Sequence, residues 1–192
     1  MISRRAFGAV IVGSTFSRAP AAAAAPPPPA EGVLRQDLQD ARWPADIVRA
    51  ADRYVSGYPQ GPAAAVARSL LDPARRSARA LDRNVRLYRG DFRLEGASPA
   101  FRDEVRKAAL ADKDAALHLA HMIRDEDNGV VFDINRYVGW LQFASALGSA
   151  PASYELALHY RKADQPALAA PYELRAEELG FMAPPSLDNI RK

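Results

Sequence analysis

The three histidines are the first candidates for chemistry in this 192-residue chain. His118 and His121 stand three apart in "AALHLAHMI", with Asp114 and Asp125 nearby. On a helix that spacing puts both rings on one side. Imidazoles beside carboxylates are a conceivable metal site. The pattern is not HExxH, however, and no third ligand is fixed by spacing, so the competing reading is a satisfied histidine pair at the surface or in a groove. His159 falls one step out of register with His121 in the next segment, which weakens any shared role. The acidic run "RDEDNG", Arg124 to Gly129, lacks the alternating ligands and terminal Glu of a calcium loop. Glu177 and Glu178 are paired carboxylates on a helical segment with no partner that would set them to acid–base work. No G-x-S-x-G, S-x-x-K, P-loop or G-x-G-x-x-G occurs, and there is no cysteine. Catalytic residues, metal and cofactor are therefore assigned to none, and the expected function is non-enzymatic.

Cations form the second constellation. Arg75, Arg79, Arg83 and Arg86 step by 4, 4 and 3, with Arg76, Arg89 and Arg93 beside them. A helical stripe of guanidinium groups, Arg75, Arg76, Arg79, Arg83 and Arg86, is suited to an anionic surface such as a lipid or an envelope polymer. The competing reading is a solvated face, or one paired with the acidic C-terminal half.

Charge is unevenly spread. The formal net charge is +3, and Arg4, Arg5 and Arg18 account for all of it. Beyond them the chain is neutral, so its basic character is no argument for nucleic acid. Residues 31–110 hold 15 basic and 11 acidic residues, whereas 111–192 hold 8 and 12.

The segments that must position these groups are helical. The opening "MISRRAFGAVIVGSTFSRAPAAAAAPPPPA" stands apart: arginines without acids, a short apolar run, then Ala-rich cleavage frames, the layout of an export signal over residues 1–25. "SRRAF" resembles a twin-arginine signal through Ser3, Arg4, Arg5 and Phe7, and departs from it at Gly8 and Ala9. That resemblance implies a periplasmic or secreted protein; a mitochondrial presequence, implying the matrix, is the alternative. The apolar run is too short to span a membrane, and no transmembrane segment is expected in the mature chain. Residues 26–40 read as a Pro/Ala-rich linker, and 41–97 as an N-terminal helical region. Within it, "WPADIVRAADRYVSG" has Pro44 at a first helical position and a stop at Gly57, and "GPAAAVARSLL" reads as a short helix. "DPARRSARALDRNVRLYRGDF" reads as a separate one, capped by Asp72 and started by Pro73, with Ala74, Ala78, Leu81, Val85, Tyr88 and Phe92 on one face. "SPAFRDEVRKAAL" opens with the same chemistry at Ser98 and Pro99.

Residues 98–183 carry an internal repeat, followed by a tail over 184–192. "AALHLAHMI" aligns with "ASYELALHY" at an offset of 37, placing Leu119 on Leu156 and Ala120 on Ala157. "WLQFASALG" aligns with "YELRAEELG" at 32, placing Trp140 on Tyr172, Ala144 on Ala176 and Gly148 on Gly180. A helix pair recurring in the mid-thirties is the signature of a solenoid. These residues resemble the Sel-one-like repeats, relatives of tetratricopeptide repeats. The first unit matches through Ala111, Ala115, Leu119, Ala120, Gly129, Val130, Asp133, Trp140, Ala144 and Gly148. The second matches through Ala152, Tyr154, Leu156, Ala157, Tyr160, Tyr172, Ala176 and Gly180, and lacks the "GV" loop. The resemblance implies an all-α, right-handed α-solenoid of short helix-turn-helix units with an N-terminal helical extension. It further implies a scaffold that binds a protein or peptide partner in its groove, where His118, His121 and His159 are candidate contacts. A cell-envelope hydrolase or its accessory, using the Arg helix on an anionic surface, is the second reading. A deep pocket joining a histidine to carboxylates would favour the hydrolase; a shallow groove lined by exposed aromatics would favour the scaffold.

Overall fold

The computed structural model describes residues 29–93, 96–127 and 130–182. The expected export signal, the tail over 184–192 and the repeat position Gly129 lie outside the described residues. What is described is all-α: α1 (Glu31–Asp40), α2 (Pro44–Gly57), α3 (Ala64–Leu81), α4 (Pro99–Ala109), α5 (Lys113–Arg124), α6 (Ile134–Ala146), α7 (Ala150–Lys162) and α8 (Pro166–Glu178). One 3-10 turn covers Arg89–Phe92, and no strand occurs among the described residues. Each helix packs on the next along the chain, and α3 also meets α6. None of the described helices is long and apolar enough to cross a membrane.

Several helices begin where the chain's own chemistry tells them to. Pro44 sits in the first turn of α2. Ser98 accepts the Phe101 amide at 3.1 Å to start α4, ahead of Pro99. Asp112 caps α5, Asp133 caps α6 and Ser149 caps α7 in the same manner.

Two parts of the N-terminal region depart from expectation. Residues 31–40, assigned to the linker, form α1, whose Leu34 and Leu38 are buried. The two helices expected around Pro73 are one, α3, running from Ala64 to Leu81 with Pro73 inside it. A proline there forfeits one backbone hydrogen bond, at a cost of about 3 kcal/mol. The apolar face keeps its register across it, however: Ala64, Ala67, Ala74, Ser77 and Ala80 are all buried. Burial of that face against α2 and α4 offsets the loss, and Ser77 Oγ donates to Ala108 O at 3.1 Å to join α3 to α4. Asp72 is thus exposed in mid-helix, and the helix ends at Leu81, well short of Phe92, to which its periodicity runs. Asn84, left-handed at φ 59°, turns the chain away. Val85 to Tyr88 run extended, with Tyr88 exposed and Phe92 buried, so the six positions assigned to one face are split between three structures.

That extended segment lies against α6. Gly139 makes the approach feasible: a Cβ there would sit 2.6 Å from Arg86 O and 2.8 Å from Leu87 Cδ2, closer than side-chain carbons tolerate. The Arg86 amide donates to Gln142 Oε1 at 2.9 Å, and buried Asp91 accepts from Arg136 Nε at 3.0 Å. Below this seam is a single core, continuous from Leu34 through Phe101, Leu119 and Trp140 to Ala169.

Five consecutive helices, α4 to α8, share one ending. Immediately after each cap stands a left-handed residue: Ala111, Glu126, Gly148, Asp164 and Gly180. At Gly148 (φ 98°) the amide reaches Ser145 O and the next amide, Ser149, reaches Ala144 O, both at 2.9 Å; Gly180 and Phe181 repeat this onto Glu177 and Ala176. This is a Schellman-type closure, which satisfies otherwise orphaned carbonyls.

Candidate functional site

The core-facing repeat positions fall inside the helices, while Ala111, Val130, Asp133, Gly148 and Gly180 lie at helix ends or in the connections. Leu119, Ala120, Trp140, Ala144, Leu156 and Ala157 are buried, as are Tyr160 and Ala176. The small residues let helix backbones approach while the large ones fill the space between. Trp140 packs on Phe92 (4.9 Å between ring centres) and Phe143 (6.0 Å), and its Nε1–H finds no acceptor among the described residues. Tyr160 stacks on Tyr172, 5.7 Å apart and within 12° of parallel.

The histidines do not converge on one another's carboxylates. Asp114 pairs with Lys113 at 2.8 Å, and Asp125 is held in a two-pronged pair with Arg124, which keeps its carboxyl below the usual range. The histidines find glutamates on neighbouring helices instead. His118, exposed on α5, lies 3.5 Å from Glu104 of α4. His121 Nε2 lies 2.8 Å from Glu155 Oε1 of α7, whose other oxygen accepts from Tyr137 Oη of α6 at 3.4 Å. His159 faces the Tyr137 ring edge-on at 6.5 Å, and burial pushes its pKa below the ordinary histidine value. Burial and the Glu155 charge push the Tyr137 hydroxyl up. Among the described residues no three His, Asp or Glu side chains gather closely enough to hold a metal ion. The His121–Glu155–Tyr137 contact joins three helices by polar bonds.

The arginine series is not one helical stripe. Arg75, Arg76 and Arg79 are on α3, Arg83 is in the turn that follows, and Arg86 is in the extended segment. Arg75 turns toward α2 and pairs with Asp52 at 3.3 Å and Asp72 at 3.8 Å. Arg89 pairs with Asp46 at 3.1 Å. Arg76, Arg79, Arg83 and Arg86 pair with no described carboxylate. The chain's bend after Leu81 brings them instead to the edge of a groove.

That groove, about 790 Å³, lies between the segment 83–88, α6, α7 and α8. Arg83 and Arg86 stand on one wall and Arg175 on another, with Tyr88, Tyr160 and Tyr172 between them. Tyr88 is 74% exposed. Gln142 forms part of the floor and spends its amide internally, accepting from the Arg86 backbone and donating to Tyr160 Oη at 3.3 Å. A second hollow of about 310 Å³, lined by Arg76, Arg79 and Arg83 with Ala111 and Leu147, shares Arg83 and Ala146 with the first. Neither lining contains His118, His121 or His159. Nor does either contain a carboxylate.

Sequence reasoning found Tyr160 and Tyr172 as repeat positions, and the arginines as a row, without joining the two. The missing signal was Asn84, a residue tolerant of left-handed backbone, which marks where the row leaves the helix. Gly139 was a second such mark, since a glycine inside a helix signals a close neighbour. Compared with known proteins, the chain matches no family model, no curated protein and no solved structure.

Proposed function

We propose that this protein is an exported helical-repeat scaffold that binds a protein or peptide partner in the groove between residues 83–88 and helices α6 to α8. The arrangement would be a short solenoid of the Sel-one-like kind, with α5–α6 and α7–α8 as its two clear units and residues 31–97 as an N-terminal cap. Support for the repeat comes from the shared left-handed closure of α4 to α8 and from each helix packing on its successor. A stack so short must cover its ends to keep a core dry, and the region before α4 does this at one end.

The observation that carries the reading is the lining of the groove. It is a wide hollow with an exposed aromatic, Tyr88, and a tyrosine pair, and it holds neither a histidine nor a carboxylate. Sites that do chemistry bring titratable groups together in a recess; sites that hold a polypeptide present aromatic and guanidinium groups along a channel. The hydrolase reading calls for a deep pocket joining His118 or His121 to carboxylates, and neither histidine lines that channel.

The test is affinity capture from the native cell, comparing wild type with Tyr88→Ser/Tyr172→Ala. Both proteins should show the same helical circular dichroism, and the double variant should lose a specific partner that the wild type retains. Retention of the same partner by the double variant would sink the groove assignment. Sequencing the mature N-terminus in the same sample tests export: cleavage between about residues 20 and 30 is expected, and an intact Met1 would refute it.

A further inference from the structure

We infer that the groove's occupant is an acidic segment of a protein chain, laid in extended form so that successive carboxylates meet Arg76, Arg79, Arg83, Arg86 and Arg175. This rests on the groove being a partner site, and adds what kind of partner it selects.

Charge is the first ground. Five guanidinium groups line the two joined hollows, and no carboxylate does. Of the five, only Arg175 is ion-paired with a described carboxylate, Glu178 at 3.4 Å. Elsewhere the protein neutralises such clusters. A hollow of about 310 Å³ beside α1 and α2 sets Arg49, Arg53, Arg89 and Arg93 among Asp37, Asp40 and Asp46, and pairs three of the four: Arg49–Asp46 at 2.8 Å, Arg89–Asp46 at 3.1 Å, Arg53–Asp37 at 3.4 Å. An arginine cluster left without internal anions is complementary to an external anion.

Shape decides which anion. The cations recur at positions 76, 79, 83 and 86 and run through both hollows, which shared Arg83 and Ala146 connect. A row of that kind suits a ligand with repeated charges, whereas a lone phosphate needs two or three donors at one point. Arg83 and Arg86, at one end of the row, line a channel with residues 83–88 on one wall and α8 on the other, and the row's guanidinium groups are exposed at its rim. A slim chain can enter that channel along its length, where a flat bilayer reaches only the rim. Between the arginines the lining turns apolar at Val85, Leu168 and Pro171, a surface for the alkyl or aromatic residues of a polypeptide. A single-stranded nucleic acid would want free aromatic faces for its bases. Tyr88 is the one exposed tyrosine of the lining, for Tyr160 is buried and it and Tyr172 spend their facing sides on each other, so no run of open rings is offered to successive bases. Guanidinium forks bind carboxylates with two parallel bonds, so the matching chain is rich in Asp and Glu with an apolar residue between.

The experiment uses the mature chain and a fluorescein-labelled, end-blocked peptide of about eight residues, Glu and Asp around one Leu, read by fluorescence anisotropy in low salt. A peptide with Gln and Asn in place of the acids, phosphatidylglycerol vesicles, inorganic phosphate and an oligothymidylate are compared with it. The acidic peptide should bind at least about tenfold more tightly than its amide counterpart, and weaken steeply with added salt. Arg83→Gln and Arg86→Gln should each weaken it about tenfold. Arg75→Gln, which removes a cation already paired outside the groove, should change nothing and serves as the control for net charge. Equal binding of acidic and amide peptides, both lost in Tyr88→Ser/Tyr172→Ala, would overturn the acidic preference and leave the groove as a peptide site. Vesicles, phosphate or oligothymidylate binding in an Arg83-dependent way while the peptide does not would overturn both. An acidic peptide that binds as well to Arg83→Gln/Arg86→Gln as to wild type would also refute the inference.

Discussion

The two halves of this molecule end their helices in different ways. From α4 onward the instructions are local. Ser98, Asp112, Asp133 and Ser149 start α4 to α7 with their own side chains, and a left-handed residue just past the cap closes each helix from α4 to α8. Before α4, apart from Pro44 in the first turn of α2, the instructions come from elsewhere in the fold. Ala30, Trp43 and Ala63 begin α1, α2 and α3 without a side-chain cap. The start of α3 is held by Tyr54 of α2, whose hydroxyl accepts the Ala63 amide at 3.1 Å and lies 2.5 Å from Glu31 Oε1. The end of α1 is held by Arg106 of α4, whose guanidinium donates to Ala41 O and, at 3.3 Å, to Leu38 O. Helices closed by their own residues can be repeated along a chain; helices closed by distant ones form only once the tertiary structure is in place.

The strongest challenge to this contrast is Trp140→Ala. It removes the side chain on which both halves converge, at a cost of about 3–5 kcal/mol, and thermal or urea unfolding should stay a single transition at lower stability. Two separate transitions would mean that the halves fold independently. Next is Arg106→Ala, which strips two charge-assisted bonds from the end of α1 at a cost of about 1.5–3 kcal/mol. Amide hydrogen exchange should speed up in α1 and hold its rate in α7 and α8; uniform acceleration would erase the distinction. Gly148→Val should cost on the order of 1 kcal/mol or more, since a side chain is strained at φ 98° whatever the space around it. Unfolding indistinguishable from wild type would misplace the joint between α6 and α7. The smallest effect runs the other way. Ala111 sits at φ 67°, so Ala111→Gly relieves strain against the entropy glycine adds to the unfolded chain, a net gain of a few tenths up to about 1 kcal/mol. A lower melting temperature would show that Ala111 is not held in that conformation.

The same contrast explains what could be read in the amino-acid sequence. The starts of α2 and α4 were legible at Pro44 and at Ser98–Pro99, and the ends of α6 and α8 at Gly148 and Gly180, because each is decided within a few residues. Three of the five left-handed closures were not, for Ala111, Glu126 and Asp164 occupy positions where glycine would have announced the turn. Nor was α1, whose ten residues include only two buried leucines. The continuity of α3 through Pro73 was hidden because Asp-Pro is a strong local start signal, and only the packing of Ala64, Ala67, Ala74 and Ser77 overrides it. At the candidate site, types were visible and juxtapositions were not. The histidines' glutamates, Glu104 and Glu155, come from other helices, and the arginine row leaves its helix at a turn that periodicity alone carries straight through.

Phe92 lies between the chain's two tryptophans, 5.0 Å from Trp43 edge-on and 4.9 Å from Trp140. The protein therefore carries its own optical probe at the seam where the extended segment crosses α6. Intrinsic emission excited at the indole band comes wholly from this cluster. An occupant that shifts residues 83–88 by even a fraction of a side chain would register there, at the far end of the same segment, without any label being attached.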